Sequence, residues 1–370
     1  MKIGIDIQTV IVRPTGVGRY TAGFARALAA LGGEESYRLF YFDFRRRGGT
    51  LGITDPRFDV RPIRFIPGRV YYSLAESIGF PDISLFAGRC DLYHFPNFII
   101  PPCARGKAVV TVHDLSFARF PQYAEEGNLK RLEKRFGATL ARADAIITVS
   151  QFSKRELVEL YGLSPDRVMV TSHGVSIQPR PRPARPLPFP YFLFIGTIEP
   201  RKNLETLLEA WRILKGRSGA HWTHRLFVVG HHGWRCKPAK EQAREKGVDA
   251  DVIVLDYVRD EELPNLYGAA EALVYPSLYE GFGFPPLEAM ACGTPVIAST
   301  APAIPEVVGD AAILCDPRDA EGFAEAMLRV RDDAALRERL TARGLARAGQ
   351  FTWERTARET LALYRKLLRS

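Results

Sequence analysis

Short apolar runs recur along the chain, and segments with the spacing of amphipathic helices separate them. The runs have the length and composition of buried strands, and turn residues follow them. They cover residues 2–7, 38–44, 108–112, 145–149, 167–171, 191–196, 226–230, 252–255 and 272–275. The helical segments cover residues 19–31, 125–142, 151–161, 204–214 and 238–246. This alternation predicts parallel sheets and therefore an α/β chain with two Rossmann-like domains.

A proline-dense stretch divides the two sets of elements. Residues 178–190 carry proline at almost every second position, which fits neither a helix interior nor a central strand. We predict a linker over residues 179–190, an N-terminal domain over 1–178 and a C-terminal domain over 191–355. The periodicity is least clear over residues 58–89.

The composition is that of a globular protein. The chain has 370 residues, of which 46% are hydrophobic and 25% are charged, which is enough for two domains with sizeable cores. No apolar run approaches the roughly 18–20 residues that span a membrane, and the N-terminus enters a strand without the layout of a signal peptide. The five cysteines lack the spacing of metal ligands. We therefore expect reduced thiols in a cytoplasmic protein.

The net charge of +9 is unevenly distributed. Residues 1–178 carry 24 Lys and Arg against 17 Asp and Glu, whereas the remainder carries 27 against 25. A basic half can serve nucleic acid, an anionic membrane surface or an anionic substrate, or it can reflect an arginine-rich composition without a function. The sequence has no helix-turn-helix, zinc or RNA-binding signature, so we predict no nucleic-acid partner. Residues 65–74 combine aromatic side chains with Arg69, as in a peripheral membrane contact or in a loop packed on the core.

The most informative stretch is a glycine loop between Glu280 and Glu288. The strand 272–275 precedes it, and helix formers follow, with Pro285 and Pro286 where a first helical turn tolerates proline. The glycines let backbone N–H groups approach a phosphate, and the helix start adds partial positive charge. Each carboxylate offers two acceptor oxygens, which suit a vicinal diol. The stretch therefore predicts a nucleotide-sugar site.

A second candidate site opens the C-terminal domain. Gly196 ends the first strand of this domain, and Arg201 and Lys202 precede its first helix. This combination suits a diphosphate, but charged surface turns also have it. After a later strand, Tyr257 and Val258 can hold the edge of a base through backbone groups.

Several of these residues also have an ordinary structural explanation. Glu288 can cap a helix or complement its dipole from the first turn, and Glu280 can be an exposed loop residue. Asp249 and Asp251 have the DxD spacing of metal-dependent sugar transferases, but they precede a strand on a polar stretch. We expect a loop there and no metal site.

The first domain offers two further candidates. Gly16 and Val17 lie at the junction of a strand and a helix, which is weak evidence alone because many such turns contain glycine. His113 and Asp114 directly follow the strand 108–112, and open α/β sheets bind ligands beyond the carboxyl ends of their strands. A neutral His113 can donate to a sugar hydroxyl while Asp114 fixes its tautomer or binds the acceptor, or loop carbonyls can satisfy it.

Together these motifs resemble the family-4 retaining glycosyltransferases, and the resemblance spans essentially the whole chain. The matching motifs are Gly16-Val17-Gly18, His113-Asp114, Ser150-Gln151-Phe152-Ser153, His173-Gly174-Val175, Glu199-Pro200-Arg201-Lys202-Asn203, Glu280…Glu288 and Trp353. Among family members, the pattern is most similar to that of mannosyltransferases of bacterial O-antigen and exopolysaccharide assembly. The resemblance implies the GT-B fold, in which two Rossmann-like domains face each other across a cleft. It also implies that the last helix, residues 356–370, crosses back to the first domain.

The resemblance further implies roles for individual residues. Glu288 would bind the ribose diol, and Glu280 would hold the donor sugar. Lys202 and Arg201 would neutralise the diphosphate leaving group, and His113 would line the reaction centre. The other implied donor-binding residues are Gly16, Val17, Gly196, Tyr257, Val258, Gly281, Phe282, Gly283, Phe284 and Leu287. The acceptor candidates are Tyr20, Asn97 and Asp114.

The implied reaction is a metal-independent hexose transfer that retains the anomeric configuration, by same-face attack in which the leaving phosphate helps to deprotonate the acceptor. We expect no cofactor other than the donor, GDP-mannose by likeness, and a glycan or lipid-linked oligosaccharide as acceptor in cell-surface polysaccharide synthesis. The protein would act in the cytoplasm or peripherally at the inner face of the plasma membrane. The alternatives are a UDP-sugar-dependent transferase, a sugar-nucleotide epimerase and a non-catalytic nucleotide-sugar-binding protein. Thr197 stands where many relatives have a phosphate-binding arginine, and Arg201 is the candidate replacement.

Overall fold

The chain forms two compact units. The computed structural model describes residues 1–11, 16–49, 51–177, 188–219, 222–256 and 258–369. The first unit comprises Met1–Leu115, Glu126–Gly174 and Thr352–Ser370, and the second comprises Ser116–Glu125 and Val175–Phe351. Two predictions, Tyr257 and the linker as far as residue 187, lie outside the described residues.

Strands and helices alternate through both units, as the hydrophobic pattern predicts. The strands are β1 (Lys2–Asp6), β2 (Ser36–Phe42), β3 (Phe58–Ile63), β4 (Leu92–Phe95), β5 (Lys107–Val112), β6 (Ala145–Thr148), β7 (Val168–Val170), β8 (Tyr191–Ile195), β9 (Arg225–Val229), β10 (Val252–Leu255), β11 (Ala272–Tyr275), β12 (Val296–Ser299) and β13 (Ile313–Cys315). The helices are α1 (Gln8–Ile11), α2 (Gly16–Leu31), α3 (Gly68–Ile78), α4 (Ser84–Ala87), α5 (Ser116–Arg119), α6 (Glu126–Arg142), α7 (Gln151–Tyr161), α8 (Leu204–Ser218), α9 (Ala239–Glu245), α10 (Leu263–Ala269), α11 (Phe284–Ala291), α12 (Ile304–Val308), α13 (Ala320–Asp332), α14 (Ala334–Ala348) and α15 (Trp353–Arg369).

The first unit is organised around a parallel sheet. Within the described residues the strand order is β3-β2-β1-β4-β5-β6-β7, and each neighbouring pair is parallel. Ile3 and Ile5 on the central strand β1 pack with Phe24 and Leu28 of α2 in one buried apolar cluster. Such continuous apolar strands are typical of parallel sheets covered by helices.

The C-terminal helix α15 packs on this first unit. Ala357, Leu361 and Tyr364 of α15 belong to the same buried cluster as β1 and α2, and their spacing places them on one face of the helix. The Tyr364 hydroxyl lies 2.6 Å from Nδ1 of the buried His94. The predicted return of the last helix to the first domain is therefore confirmed.

The second unit repeats this architecture. Its strand order within the described residues is β10-β9-β8-β11-β12-β13, again with parallel pairs. Phe192 and Phe194 of β8 pack with Trp211 of α8 and with Phe323 and Met327 of α13.

A ten-residue excursion of the chain, Ser116–Glu125, also belongs to the second unit. Trp234 Nε1 donates to the Tyr123 carbonyl at 2.7 Å, and the Phe120 ring lies 5.5 Å from that of Tyr279. The sequence pattern contains no sign of this pairing, because the partners are more than one hundred residues apart.

The two sheets share one topological feature that positions ligands. In each, the first strand lies where the strand order reverses: β1 between β2 and β4, and β8 between β9 and β11. Open α/β sheets bind ligands in the crevice outside the carboxyl ends of the strands at such a point. The loops that follow β1, β4, β8 and β11 are therefore the expected positions of ligand-binding residues.

The structure corrects several predicted boundaries. The predicted start of a helix at residue 19 is wrong, because α2 begins at Gly16, and the short helix α1 lies before it. Glycine and valine are poor helix formers, so propensity alone favoured a later start. Helix α8 continues to Ser218, past the predicted end at Leu214. The unclear stretch 58–89 forms β3, α3 and α4.

Of the helices in the described part of the chain, none is long and apolar enough to span a bilayer.

We predict that Gly174→Ala destabilises the first unit by about 2 kcal/mol or more, because overpacking a filled site costs roughly 1–3 kcal/mol. A Cβ at Gly174 would lie 2.2 Å from the backbone nitrogen of Trp353, too close for the backbone to absorb. Urea unfolding of the intact chain measures the change. Gly137→Ala is the matched control, since a Cβ there meets nothing within 4 Å on the exposed face of α6. It should raise stability by up to about 1 kcal/mol, and equal effects of the two substitutions would contradict the steric argument.

Candidate active site

The candidate site lies at the carboxyl edge of the second sheet, where the loops after β8 and β11 meet. Strand β11 is fully buried and ends at Tyr275, just before Pro276, and α11 begins at Phe284. Gly283 directly precedes α11 with φ of 115°, a conformation that favours glycine. The predicted order of strand, glycine loop and helix is therefore what the structure shows.

Close backbone contact also holds the loop after β8. A Cβ at Gly230, just after β9, would lie 1.9 Å from the carbonyl oxygen of Gly196. A residue with a side chain would therefore push the two loops apart. Gly196 itself lies over the aliphatic part of Lys202, with an added Cβ 3.7 Å from Lys202 Cδ.

Glu280 is the centre of a buried network of charges. Its Oε1 accepts from Lys202 Nζ at 2.6 Å and from the Tyr275 hydroxyl at 2.7 Å. Its Oε2 accepts from Arg201 Nη1 at 2.9 Å. The residue is 7% exposed, so the alternative explanation of Glu280 as an exposed loop residue is wrong.

Arg201 links this carboxylate to a second one. Its Nη2 donates to Glu199 Oε1 at 2.6 Å, and its Nη1 donates to the carbonyl of Tyr279 at 2.8 Å. Glu199 is also buried. The network thus contains two carboxylates and two cations, and its formal charges balance.

Burial and charge act against each other in this network. Burial alone would raise the pKa of Glu280, but the positive charges of Lys202 and Arg201 lower the pKa to about 2. Glu280 is therefore a carboxylate at neutral pH. Burial, together with the charge of Arg201, lowers the pKa of Lys202, while Glu280 opposes that shift. Burial and Glu280 raise the pKa of Tyr275, so that side chain remains a phenol that can donate.

Glu288 lies in the second turn of α11, beyond the helix start. The helix begins at Phe284 with Gly283 at its N-cap and no acidic residue in the first turn. The predicted alternative of a capping residue is therefore wrong, and the reason is that α11 begins close after the glycines. Glu288 is 4% exposed, and its Oε2 accepts from the Tyr267 hydroxyl at 2.9 Å.

Most of the other predicted donor-site residues of this loop are also buried, and Phe284 is partly exposed. Gly281, Phe282 and Gly283 are buried, and Leu287 has no solvent exposure. The Phe282 ring lies 5.8 Å from Phe284 and 5.7 Å from Phe351, which fixes the loop from its apolar side.

The remaining donor candidates are spread over both units. Val258 follows β10 at the carboxyl edge of the second sheet and is partly exposed. Gly16 and Val17 form the first turn of α2 in the first unit, with Gly16 exposed.

His113 lies directly after β5 in the first unit and is 8% exposed. Its Nε2 donates to the Pro96 carbonyl at 2.8 Å. This is the contact with a loop carbonyl that the structural explanation of His113 predicts. Burial lowers the pKa of His113, so the imidazole is neutral. Its ring packs against Tyr20, with centroids 4.9 Å apart.

The acceptor candidates differ in accessibility. Tyr20 is fully buried, and its hydroxyl lies 3.2 Å from Thr111 Oγ1, which places it in the core. Asn97 and Asp114 are partly exposed and follow β4 and β5 respectively.

The DxD spacing has a structural explanation. Asp251 is buried and pairs with Arg225 at 2.7 Å and with Lys215, so it anchors the start of β10. Among the residues that the structure describes, no three His, Cys, Asp or Glu side chains are arranged to hold a metal ion.

Sequence reasoning missed three members of the site. Tyr275 and Gly230 each lie at the carboxyl end of a predicted strand, and that position was the signal that could have found them. Tyr267 lies on α10, 21 residues before Glu288, and nothing local points to it.

Two family models together match residues 14–347 of the chain. The Glycosyltransferase Family 4 model matches residues 14–179, and the Glycosyl transferases group 1 model matches residues 178–347. The chain is 35% identical to an O-antigen chain mannosyltransferase B of Escherichia coli, covering 99% of this chain and 100% of that protein. It is 29% identical to a serotype-specific mannosyltransferase WbdA of Escherichia coli, over 78% of this chain and 37% of that protein.

Solved structures show the same fold. Sucrose-phosphate synthase from Thermosynechococcus elongatus matches with a TM-score of 0.74 at 21% identity, covering 99% of each chain. WaaG, a glycosyltransferase involved in lipopolysaccharide biosynthesis, matches with a TM-score of 0.70 at 17% identity, covering 98% of this chain and 99% of the other. The predicted GT-B fold is therefore confirmed.

We predict that Glu280→Gln lowers the free energy of unfolding at pH 7 by about 3 kcal/mol, because it leaves two buried cations without their shared carboxylate. The native pKa of Glu280 lies below its unfolded value of 4.5. Its contribution is therefore complete above that pH and is lost as the pH falls toward 2. The difference between wild type and variant should accordingly shrink between pH 4.5 and 2, as measured by urea unfolding. Glu321→Gln, which removes an exposed pair with Arg217, should cost less than about 1 kcal/mol at any pH.

Proposed function

The chain belongs to the group 1 glycosyltransferases, with a family 4 domain preceding its group 1 domain, and we propose that it transfers mannose from GDP-mannose to a glycan. The transfer would retain the anomeric configuration and require no metal ion. The mannosyltransferases named above support mannose as the transferred sugar. Their O-antigen context favours a glycan or a lipid-linked oligosaccharide as the acceptor.

One observation carries the proposal: the buried network of Glu280, Lys202 and Arg201 lies at the switch point of the second sheet. An ammonium has three donors, so Lys202 can bind Glu280 and Tyr275 and still donate to a phosphate oxygen. Arg201 is anchored on two carboxylates and supplies a fixed positive charge. Such prearranged cations are worth most where charge develops on a leaving group.

The remaining assignments follow from the chemistry of the groups. Glu288 accepts from the Tyr267 hydroxyl through Oε2, and we assign this buried carboxylate to a ribose hydroxyl, because a carboxylate oxygen can accept more than one hydrogen bond. We assign the N–H groups of Phe282, Gly283 and Phe284 to the donor, because the loop lies at the start of α11, where partial positive charge accumulates.

In the proposed step, the bond between the sugar C1 and the diphosphate oxygen breaks on the face where the acceptor oxygen forms its new bond to C1. The acceptor proton passes to the leaving phosphate oxygen, so the products are the glycoside and GDP. Lys202 and Arg201 stabilise the charge that grows on the diphosphate. In this mechanism the side chains of the second unit bind the donor and stabilise the leaving group. The proton passes directly from the acceptor to the leaving phosphate.

We predict that GDP and GDP-mannose raise the melting temperature of the wild type and that Glu288→Ala weakens GDP binding by about 10- to 100-fold. That range corresponds to the roughly 1.5–3 kcal/mol of a charge-assisted hydrogen bond. Calorimetric titration gives the affinities, and product analysis with GDP-mannose tests turnover and anomeric outcome. The control is Glu338→Ala, which removes an exposed carboxylate on α14 and should leave the affinity unchanged.

Three results would contradict parts of the proposal. Thermal stabilisation by UDP-sugars but not by GDP or GDP-mannose would indicate a UDP-sugar as the donor in place of GDP-mannose. GDP-mannose binding without any transfer would favour a non-catalytic binding protein. Unchanged GDP affinity in Glu288→Ala would remove that carboxylate from the site.

We also propose peripheral contact with an anionic membrane at the inner face of the plasma membrane. Several large apolar side chains are exposed on the first unit near its β3–α3 segment: Phe44, Val60, Phe65, Val70, Leu74, Phe80 and Leu85. Exposed arginines adjoin them in sequence: Arg61, Arg64 and Arg69. Apolar side chains flanked by cations suit the boundary between lipid headgroups and acyl chains.

We predict that the double variant Phe65→Ser/Leu74→Ser binds phosphatidylglycerol vesicles at least fivefold more weakly than the wild type, because it removes two apolar anchors. Cosedimentation at low and high salt measures this, and binding of the wild type should fall with salt. Leu345→Ser is the matched control, since Leu345 is a similarly exposed leucine of the second unit. Equal binding to phosphatidylcholine and phosphatidylglycerol would contradict the electrostatic part of the proposal.

A further inference from the structure

The switch point of the first sheet holds an unusual carboxylate. Asp6 is the last residue of β1, the strand that lies where the strand order reverses. It occupies in the first unit the topological position that the loop of Lys202 occupies in the second. Ligands of open α/β sheets bind at this position, so a polar side chain there is a candidate ligand-binding group.

The contacts of Asp6 with described residues do not neutralise its charge. Its Oδ1 accepts from the backbone N–H of Gln8 at 2.8 Å, and the Tyr72 hydroxyl donates to the carboxylate. Among the described residues, Asp6 has no Lys or Arg at ion-pair distance, in contrast to Glu35 of the same unit, which pairs with Arg365 at 2.5 Å. Burial raises the pKa of Asp6 to about 6. A carboxylate placed for stability alone would have a cationic partner.

Asp6 nevertheless remains accessible. It is partly exposed, and so is Tyr72 on α3. The groups that face this pair are the Tyr71 hydroxyl from α3 and the guanidinium groups of Arg131 and Arg135 from α6. Arg135 Cζ lies 5.8 Å from the centre of the Tyr72 ring.

The residues around the pair fix its geometry. The Tyr72 ring packs against Phe42 at 5.9 Å and against Tyr71 at 5.3 Å. Gln8, whose N–H binds Asp6, accepts from Phe42 N at 2.8 Å through its side-chain oxygen. The carboxylate is thus held at the end of β1 by groups from β2, α1 and α3. Rigid placement of this kind is what a binding residue needs.

We propose that Asp6, oriented by Tyr72, binds hydroxyl groups of the acceptor sugar in the first unit. The inference rests on the proposed transferase function and names a substrate contact for it. An ionised carboxylate only accepts hydrogen bonds, so it suits a pair of sugar hydroxyls and repels a phosphate. A partly buried carboxylate that has no cationic partner among the described residues lowers the stability of the fold. Its role in binding the acceptor would account for its presence there.

The test uses the intact protein with two probes, octyl α-D-mannopyranoside and octyl N-acetyl-β-D-glucosaminide, in the presence of GDP. Saturation-transfer NMR gives their affinities for the wild type, Asp6→Asn and Tyr72→Phe. We expect the wild type to bind at least one probe, Asp6→Asn to bind it at least tenfold more weakly, and Tyr72→Phe to bind it several-fold more weakly. GDP affinity should change by less than about twofold, by calorimetric titration. Asp59→Asn, which removes an exposed carboxylate of β3 paired with Arg38, should behave as the wild type.

The pH dependence separates binding from a structural role. The wild type should bind the probe more weakly as the pH falls from 7.5 to 5.0, because Asp6 becomes protonated, and Asp6→Asn should show no such change. Because the native pKa of Asp6, about 6, is raised above its ordinary value of 3.8, stability falls as the pH rises from 3.8 to about 6, and the loss is complete above that pH. Asp6→Asn should therefore melt higher than the wild type at pH 7.5 and equally below about pH 4.

Several results would overturn the inference: no binding of either probe to the wild type, equal binding to Asp6→Asn, or a lower melting temperature of Asp6→Asn at pH 7.5. These readouts do not require turnover. A failure of the proposed mannose transfer would therefore appear separately, as GDP-mannose that is bound without product or not bound at all.

Discussion

The Glu280 carboxylate is the interaction on which the candidate site depends. Taking an ionised carboxylate and two cations out of water is costly, and only close, well-directed contacts offset that cost. Glu280 makes such contacts with Lys202, Arg201 and Tyr275 through both of its oxygens. Because Lys202 and Arg201 follow β8 whereas Glu280 follows β11, the same contacts hold two loops together at the switch point. The ion pairs are thus part of the fold and of the site at once.

Backbone packing complements this electrostatic bond. The close approach of Gly230 to Gly196 sets the position of the loop after β8, and the packing of Phe282 against Phe284 and Phe351 sets the position of the glycine loop. Both loops therefore have their positions fixed before any ligand arrives. Preorganised donors and charges stabilise a developing charge better than groups that must first rearrange.

Much of this arrangement could be predicted from the sequence, and the exceptions share a physical cause. The alternation of apolar strands and helices, the glycine loop and the paired glutamates are local patterns, and the structure contains each of them. The start of α2 at Gly16 and the position of Glu288 in the second turn of α11 depend on where a helix begins, which propensity determines poorly. Other features depend on contacts between residues far apart in sequence. These are the hydrogen bond of Tyr267 to Glu288, the burial of Tyr20 and the packing of Tyr72 beside Asp6. Tertiary contacts of that kind leave no periodic signal.

Charge balance distinguishes the two switch points. In the second unit, Glu199 and Glu280 already balance Arg201 and Lys202, so a diphosphate bound there would add negative charge to a network of balanced formal charge. In the first unit, Asp6 carries a charge that no neighbouring cation balances at ion-pair distance among the described residues. A network that can share its cations suits an anionic donor, whereas a lone carboxylate suits neutral hydroxyls. Under the two proposals, the same topology would support two different ligand chemistries, and the difference would lie in the residues at the carboxyl end of the first strand of each sheet.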